Sequence, residues 1–133
     1  MEAQRPGDIL IVEDDMDSRE VLQLFLEQSG ADVKSAESAE QAMSLLNEAN
    51  GNLPDLILSD LAMPDEDGYS LICRIRNLPP EKGGKIPAMA LSAFATGDNK
   101  QRAYDSGFQK YHTKPFEPDG IIEDIKQLIR SGE

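Results

Sequence analysis

The sequence predicts an α/β domain, a parallel sheet with helices packed on both of its faces. Short apolar runs of strand length alternate five times with segments of helical period along the 133 residues, the pattern of a three-layer αβα domain. The best of these runs are continuous and β-branched rather than alternating, as expected of strands buried on both faces. The length suffices for one core and is too short for two.

The elements follow in order. Ile9-Leu10-Ile11-Val12 is the first strand. Val21, Leu22, Phe25 and Leu26 then recur at helical spacing. Ala31 to Ala36 is a weaker, more polar strand, and Ser38-Ala39-Glu40-Gln41 is a capping box ahead of a helix face of Ala39, Ala42, Met43 and Leu46. Leu56-Ile57-Leu58 is the third strand, and Leu71, Ile72 and Ile75 mark a short helix after Gly68. The Pro- and Gly-rich stretch from Asn77 to Lys85 reads as a surface loop. Pro87 to Leu91 is the fourth strand, Ala95 to Ser106 a polar helix ended by Gly107, and Phe108 to His112 the fifth strand. Pro118 opens a last helix with Ile121, Ile122, Ile125, Leu128 and Ile129 on one face. Residues 1–7 read as a disordered tail and 8–131 as the domain.

A formal net charge of -12 argues against nucleic acid or an anionic membrane as partner, since both require a basic patch. It suits a cation or a basic protein. The single cysteine, Cys73, excludes an intrachain disulfide and a cysteine metal cage and fits a reducing compartment. Its place beside apolar helix residues predicts a core position. The first residues do not form a signal peptide, and no stretch approaches the roughly 20 apolar residues that span a bilayer. The expected location is cytoplasmic, without membrane insertion.

An open parallel sheet binds its ligands beyond the carboxyl ends of the strands. Glu13-Asp14-Asp15 follows the first strand, Asp60 the third, Ser92 the fourth, and Lys114-Pro115 the fifth. Carboxylates crowded together raise one another's pKa, and a hard divalent ion relieves that repulsion. A metal, a lysine and a hydroxyl are what phosphoryl transfer requires, and a carboxylate can serve as its nucleophile. The first loop, Glu13 to Ser18, is acidic and has no glycine, which excludes a nucleotide cradle of backbone amides. Taken singly, Asp15 and Asp17 read as helix N-caps.

At these positions the sequence resembles the receiver domain of two-component response regulators. Ile9 to Asp15 is similar to the family's first strand and acidic pair. Asp55-Leu56-Ile57-Leu58-Ser59-Asp60-Leu61-Ala62-Met63-Pro64 with Asp67-Gly68 resembles its phosphorylation motif, Ala90-Leu91-Ser92-Ala93 its switch hydroxyl, and Lys114-Pro115-Phe116 its lysine motif. The resemblance runs from about Asp8 to about Ile129. It implies a flavodoxin-like fold of strand order 2-1-3-4-5 with five helices. It further implies that Asp60 accepts a phosphoryl group from a histidine kinase or histidine phosphotransfer protein. Glu13, Asp14, Asp60 and the backbone carbonyl of Ala62 would hold Mg2+ or Mn2+. Lys114, joined to Pro115 by a cis bond, would contact the phosphate. Ser92 and Tyr111, the latter moving from outside to inside, would switch the face of the fourth helix, fifth strand and fifth helix toward an output protein or attached domain. Such a chain is a signalling phosphoacceptor, not a turnover enzyme. Ala62 and Phe94 occupy positions that tune dephosphorylation in the family; both are apolar, which implies slow self-dephosphorylation. Gly107 to Pro118 resembles receivers of hybrid sensor kinases, so both a stand-alone regulator and an excised domain stay open.

Four rival readings are weaker. A calcium loop at Asp65-Glu66-Asp67-Gly68 would need carboxylates where Met63 and Arg74 stand. A hydrolase triad with Ser92 and His112 lacks the nucleophile elbow, and His112 reads as structural. An aspartate-nucleophile phosphatase needs a second acid where Ala62 stands. A receiver-like interaction module that takes no phosphate would not need the acids, hydroxyl and lysine together.

Overall fold

The computed structural model describes residues 7–49, 52–93, 97–115 and 117–131. Residues 1–6 of the predicted tail at 1–7, Phe94, the predicted helix start at Ala95, and Phe116 lie outside them. Among the described residues the order is β1 (Asp8–Val12), α1 (Met16–Gln28), β2 (Asp32–Ala36), α2 (Ala39–Asn47), β3 (Leu56–Asp60), α3 (Gly68–Arg76), β4 (Ala88–Ser92), α4 (Gly97–Ser106), β5 (Lys110–Thr113) and α5 (Pro118–Ser131). All strands are parallel and the sheet order is β2-β1-β3-β4-β5. The chain is thus a flavodoxin-like, doubly wound domain.

The period of two along each strand divides the core into two layers. Ile9, Ile11, Leu56, Leu58, Met89 and Leu91 pack against Leu22 and Leu26 of α1 and Ile121 and Ile125 of α5. Leu10, Val12, Ile57, Ala88, Ala90 and Tyr111 face the other way, onto Ala42 and Leu46 of α2, Ile72 and Ile75 of α3 and Ala103 of α4. The central strands β3 and β4 are buried along their whole length, which is why they read as unbroken apolar runs. The edge strands are partly exposed, which is why β2 reads as weak.

Local chemistry sets the ends. Asp15 caps α1 by accepting from the Ser18 amide at 2.9 Å, and this bond holds its carboxyl below the usual range. Asp17, also read as a cap, instead lies in the first turn of α1. Ser38 caps α2 through the Gln41 amide, but the Gln41 side chain accepts from the Glu37 amide rather than from Ser38, so the box is offset by one residue. The loop after α3 holds a 3-10 turn at Pro80–Lys82. The fifth strand begins at Lys110, later than Phe108, because Gly107 and Phe108 close the end of α4 onto the Ala103 carbonyl. Cys73 corrects the sequence reading. Leu71, Ile72 and Ile75 form the buried face of α3, and Cys73 points to the opposite side and is exposed.

Arg76 ties the far ends of the elements together. Its guanidinium donates to the Gly107 carbonyl at 3.0 and 2.7 Å, the Gly84 carbonyl at 3.1 Å and the Gln109 side chain at 3.2 Å. Leu58 is fully buried in the middle of the sheet. Leu58→Ala is expected to cost about 2–5 kcal/mol in chemical denaturation; a loss below about 1 kcal/mol would contradict the packing described.

Candidate phosphoryl-transfer and metal site

Sheet register assembles the site. Val12 lies opposite Ser59, so Glu13 and Asp60, the next residues of adjacent strands, emerge side by side. Ser92 lies opposite Thr113, and the Lys114 amide donates to the Ser92 carbonyl at 2.8 Å, which brings Lys114 to the same edge. The Lys114–Pro115 bond is cis, as the resemblance implies.

One carboxylate oxygen each from Glu13, Asp14 and Asp60 lies within 4.8 Å of the others. Lys114 Nζ donates to Glu13 Oε1 at 2.8 Å and sits 3.3 Å from Asp60 Oδ2. Glu13, Asp60 and Ser92 are buried, whereas Asp14 is exposed. Burial raises the Glu13 carboxyl above its ordinary value of 4.5, and the Asp60 charge adds to this, although the Lys114 bond opposes both. Burial pulls the Lys114 pKa down, but the Glu13 hydrogen bond and the Asp60 charge outweigh it and hold the ammonium above 10.5.

The donor set fits a hard divalent cation: clustered carboxylate oxygens, partly buried, with Asp14 open to solvent. Lys114 contributes a fixed positive charge beside Asp60. Ala62 is exposed just beyond β3. Tyr111 is buried at 8% exposure in the α2–α3–α4 layer, the inward arrangement, with Lys100 Nζ 6.0 Å from its ring centre. His112 is held by Asp124 of α5 at 2.7 Å and stands apart from the acids, as its structural reading required.

Two further residues support the site: Gly68, named in the sequence only as part of the phosphorylation motif, and Arg19, outside the sequence reading. Gly68 approaches the main chain below Asp60 so closely that a Cβ there would lie 2.4 Å from the Asp60 carbonyl oxygen. Arg19 lies against the carbonyls of Glu13 and Asp14. The Asp67-Gly68 pair is visible in sequence as a turn signal, and a cation in the first turns of a helix, against the dipole, is a visible anomaly at Arg19.

A groove of about 490 Å³ opens beside the acids, with Glu13, Val21, Leu22, Lys114 and Pro115 among its walls. A larger cavity of about 650 Å³ lies at the other end of the strands, near Asp8, Asp32 and Pro54, away from this chemistry.

A doubly wound sheet with an acid cluster and a lysine at its carboxyl edge defines a class of phosphoryl-accepting signalling domains. Residues 9–126 match the response regulator receiver domain family, and the chain belongs to that family. It is 47% identical over 120 residues to the uncharacterized 14.6 kDa protein in the sodA1 3' region of Leptolyngbya boryana, covering 90% of this chain and 88% of that one. It is 35% identical to the transcriptional regulatory protein PhoP of Escherichia coli O157:H7 over 92% of this chain, which spans 52% of PhoP. It is 32% identical to hybrid signal transduction histidine kinase I of Dictyostelium discoideum over 93% of this chain and 7% of the kinase. Among solved structures it superposes, at TM-score 0.81 and 28% identity, on the receiver domain of the sensor histidine kinase PA1611 from Pseudomonas aeruginosa, covering 92% of this chain and 97% of that one. That structure holds a magnesium ion in its active-site cleft.

The raised Glu13 carboxyl has a consequence for stability. The folded state holds this proton more tightly than the unfolded chain, so the stabilisation is complete below the ordinary value of 4.5 and is lost as pH rises through the higher folded value. In metal-free buffer at neutral pH, Glu13→Gln should therefore melt above wild type in thermal unfolding. The difference should shrink toward acid pH. A variant that melts lower than wild type at every pH contradicts the crowding.

Proposed function

We propose that Asp60 accepts a phosphoryl group from a phosphohistidine on a histidine kinase or phosphotransfer protein. The reading is carried by one observation: Lys114 Nζ, 3.3 Å from Asp60 Oδ2, lies beside a carboxylate that shares a 4.8 Å cluster with Glu13 and Asp14. A carboxylate oxygen of Asp60 attacks phosphorus in line, the P–N bond to imidazole breaks, and the electron pair leaves with the ring nitrogen, which takes a proton from solvent. Mg2+ or Mn2+, held by Glu13, Asp14, Asp60 and the Ala62 carbonyl, would supply charge neutralisation on the phosphoryl oxygens. Lys114 then exchanges a carboxylate partner for a phosphoryl one.

The aspartyl phosphate carries roughly one more negative charge than the carboxylate. At an effective dielectric of about 20, a unit charge about 4 Å from an ammonium is worth about 4 kcal/mol. A tenfold shift between two conformations needs about 1.4 kcal/mol. In this reading Ser92, at the end of β4, would answer the phosphoryl oxygens and hold Tyr111, on the neighbouring strand, in its inward packing, which would bias the α4–β5–α5 face toward an output protein or attached domain. The exposed Val21 of α1 lines the groove and, with the exposed Met16 and Leu24 of the same helix, suits a protein rather than a small-molecule donor. We assign the domain to the cytoplasm, where such donors act; among the described residues no helix is long and apolar enough to cross a membrane.

Incubation with acetyl phosphate and Mg2+ should add one phosphoryl mass to the intact protein, and Asp60→Asn should add none. An unmodified wild type, or a modified Asp60→Asn, would overturn the assignment. Ser92→Ala should still take phosphate but lose about tenfold of its phosphate-dependent partner binding, measured by titration of the partner against both forms. Unchanged coupling in Ser92→Ala removes the hydroxyl from the switch.

A further inference from the structure

Arg19 stands on α1 near its N-terminus, where the helix dipole disfavours a cation. Its side chain is nonetheless only 15% exposed. The guanidinium turns back toward the helix start, the direction helical side chains take. Nη1 donates to the Glu13 carbonyl at 2.8 Å and lies 3.4 Å from the Asp14 carbonyl. Nη2 sits 3.9 Å from Glu37 Oε2, just beyond β2. The loop after β1 is thus strapped to the loop after β2 through Arg19, in parallel with the bond from the Glu13 amide to the Ala36 carbonyl at 3.0 Å.

We propose that Arg19 is a positioning residue for the metal-binding acids: it fixes the peptide units of Glu13 and Asp14 so that their carboxylates meet Asp60. This rests on the reading in which those acids hold a divalent cation. The two acids depend on it unequally. The Glu13 carboxylate has its own anchors, Lys114 Nζ at 2.8 Å and the Asp15 amide at 3.2 Å. Asp14 is exposed, so the direction of its side chain depends on the main chain that Arg19 holds.

A different role for Arg19, that of a simple countercharge to an acidic edge, predicts the opposite sign. A guanidinium near the acids repels an incoming cation, so its removal would tighten metal binding. If Arg19 positions the acids, its removal loosens them and weakens binding. Arg19→Lys separates charge from geometry, because an ammonium keeps the charge but cannot reproduce the planar fork.

The test is titration of the full chain with Mn2+, following the free ion by electron paramagnetic resonance, at a temperature well below each variant's metal-free melting point. Wild type should bind one ion. Arg19→Ala should bind it about 10- to 100-fold more weakly, the range for residues that orient metal ligands, and Arg19→Lys roughly severalfold more weakly. Equal or tighter binding by Arg19→Ala overturns the positioning role. If that variant does not fold, Arg19→Lys decides alone, and wild-type affinity in it overturns the role. A wild type that takes no Mn2+ sinks both the metal site and this inference. Binding that is lost in Asp14→Asn but indifferent to Arg19 sinks the inference only.

Discussion

Three clustered carboxylates, two of them sharing one ammonium, are the constraint from which the rest of the site follows. Lys114 bridges Glu13 and Asp60, while Asp14 completes the cluster from the solvent side. A single lysine cannot neutralise that many negative groups at short range. The burial of Glu13 intensifies the mismatch and shows in its raised carboxyl. The protein thereby keeps an unrelieved electrostatic demand at the edge of its sheet, one that a divalent cation can meet.

Holding such a cluster together needs a rigid frame, and the parallel sheet provides it. The residues come from positions 13, 14, 60 and 114 of the chain. Register alone brings them to one edge, since β1 and β3 end side by side and β5 is tied to β4 through the Lys114 amide. The apolar layers above and below the sheet fix that register, because a slip of one residue would turn every core side chain to the wrong face. The close approach of Gly68 lets α3 begin directly under Asp60. Core packing and chemistry are therefore one problem here: the residues that fill the two layers also set the distances between the acids.

Much of this was legible in the sequence because it depends on patterns of period and position. Ile9 to Val12 and Leu56 to Leu58 announced central strands by their unbroken apolarity, and the acids and Lys114 announced the cluster by standing at or just beyond strand ends. What was not legible depends on direction rather than position. Cys73 sits among apolar residues in sequence, yet the turn of α3 carries it outward. The start of β5 moved to Lys110 because pairing with β4, not side-chain character, decides where a strand begins. Tyr111 reads as a strand residue in either orientation, and only its packing in the α2–α3–α4 layer shows it turned inward. Arg19 is visible in sequence only as a cation set against the helix dipole, and what it does there shows only in its contacts with two backbone carbonyls, since a carbonyl leaves no trace in residue identity.

The account stands or falls on whether the clustered acids need a cation to be at ease. The most direct measurement is the melting temperature of wild type and Asp14→Asn at neutral pH over a series of Mg2+ concentrations, at constant ionic strength. Ligand linkage predicts that wild type rises steadily with the logarithm of Mg2+ above its dissociation constant while Asp14→Asn stays nearly flat. A wild-type melting temperature that ignores Mg2+, or an equal rise in both proteins, would contradict it.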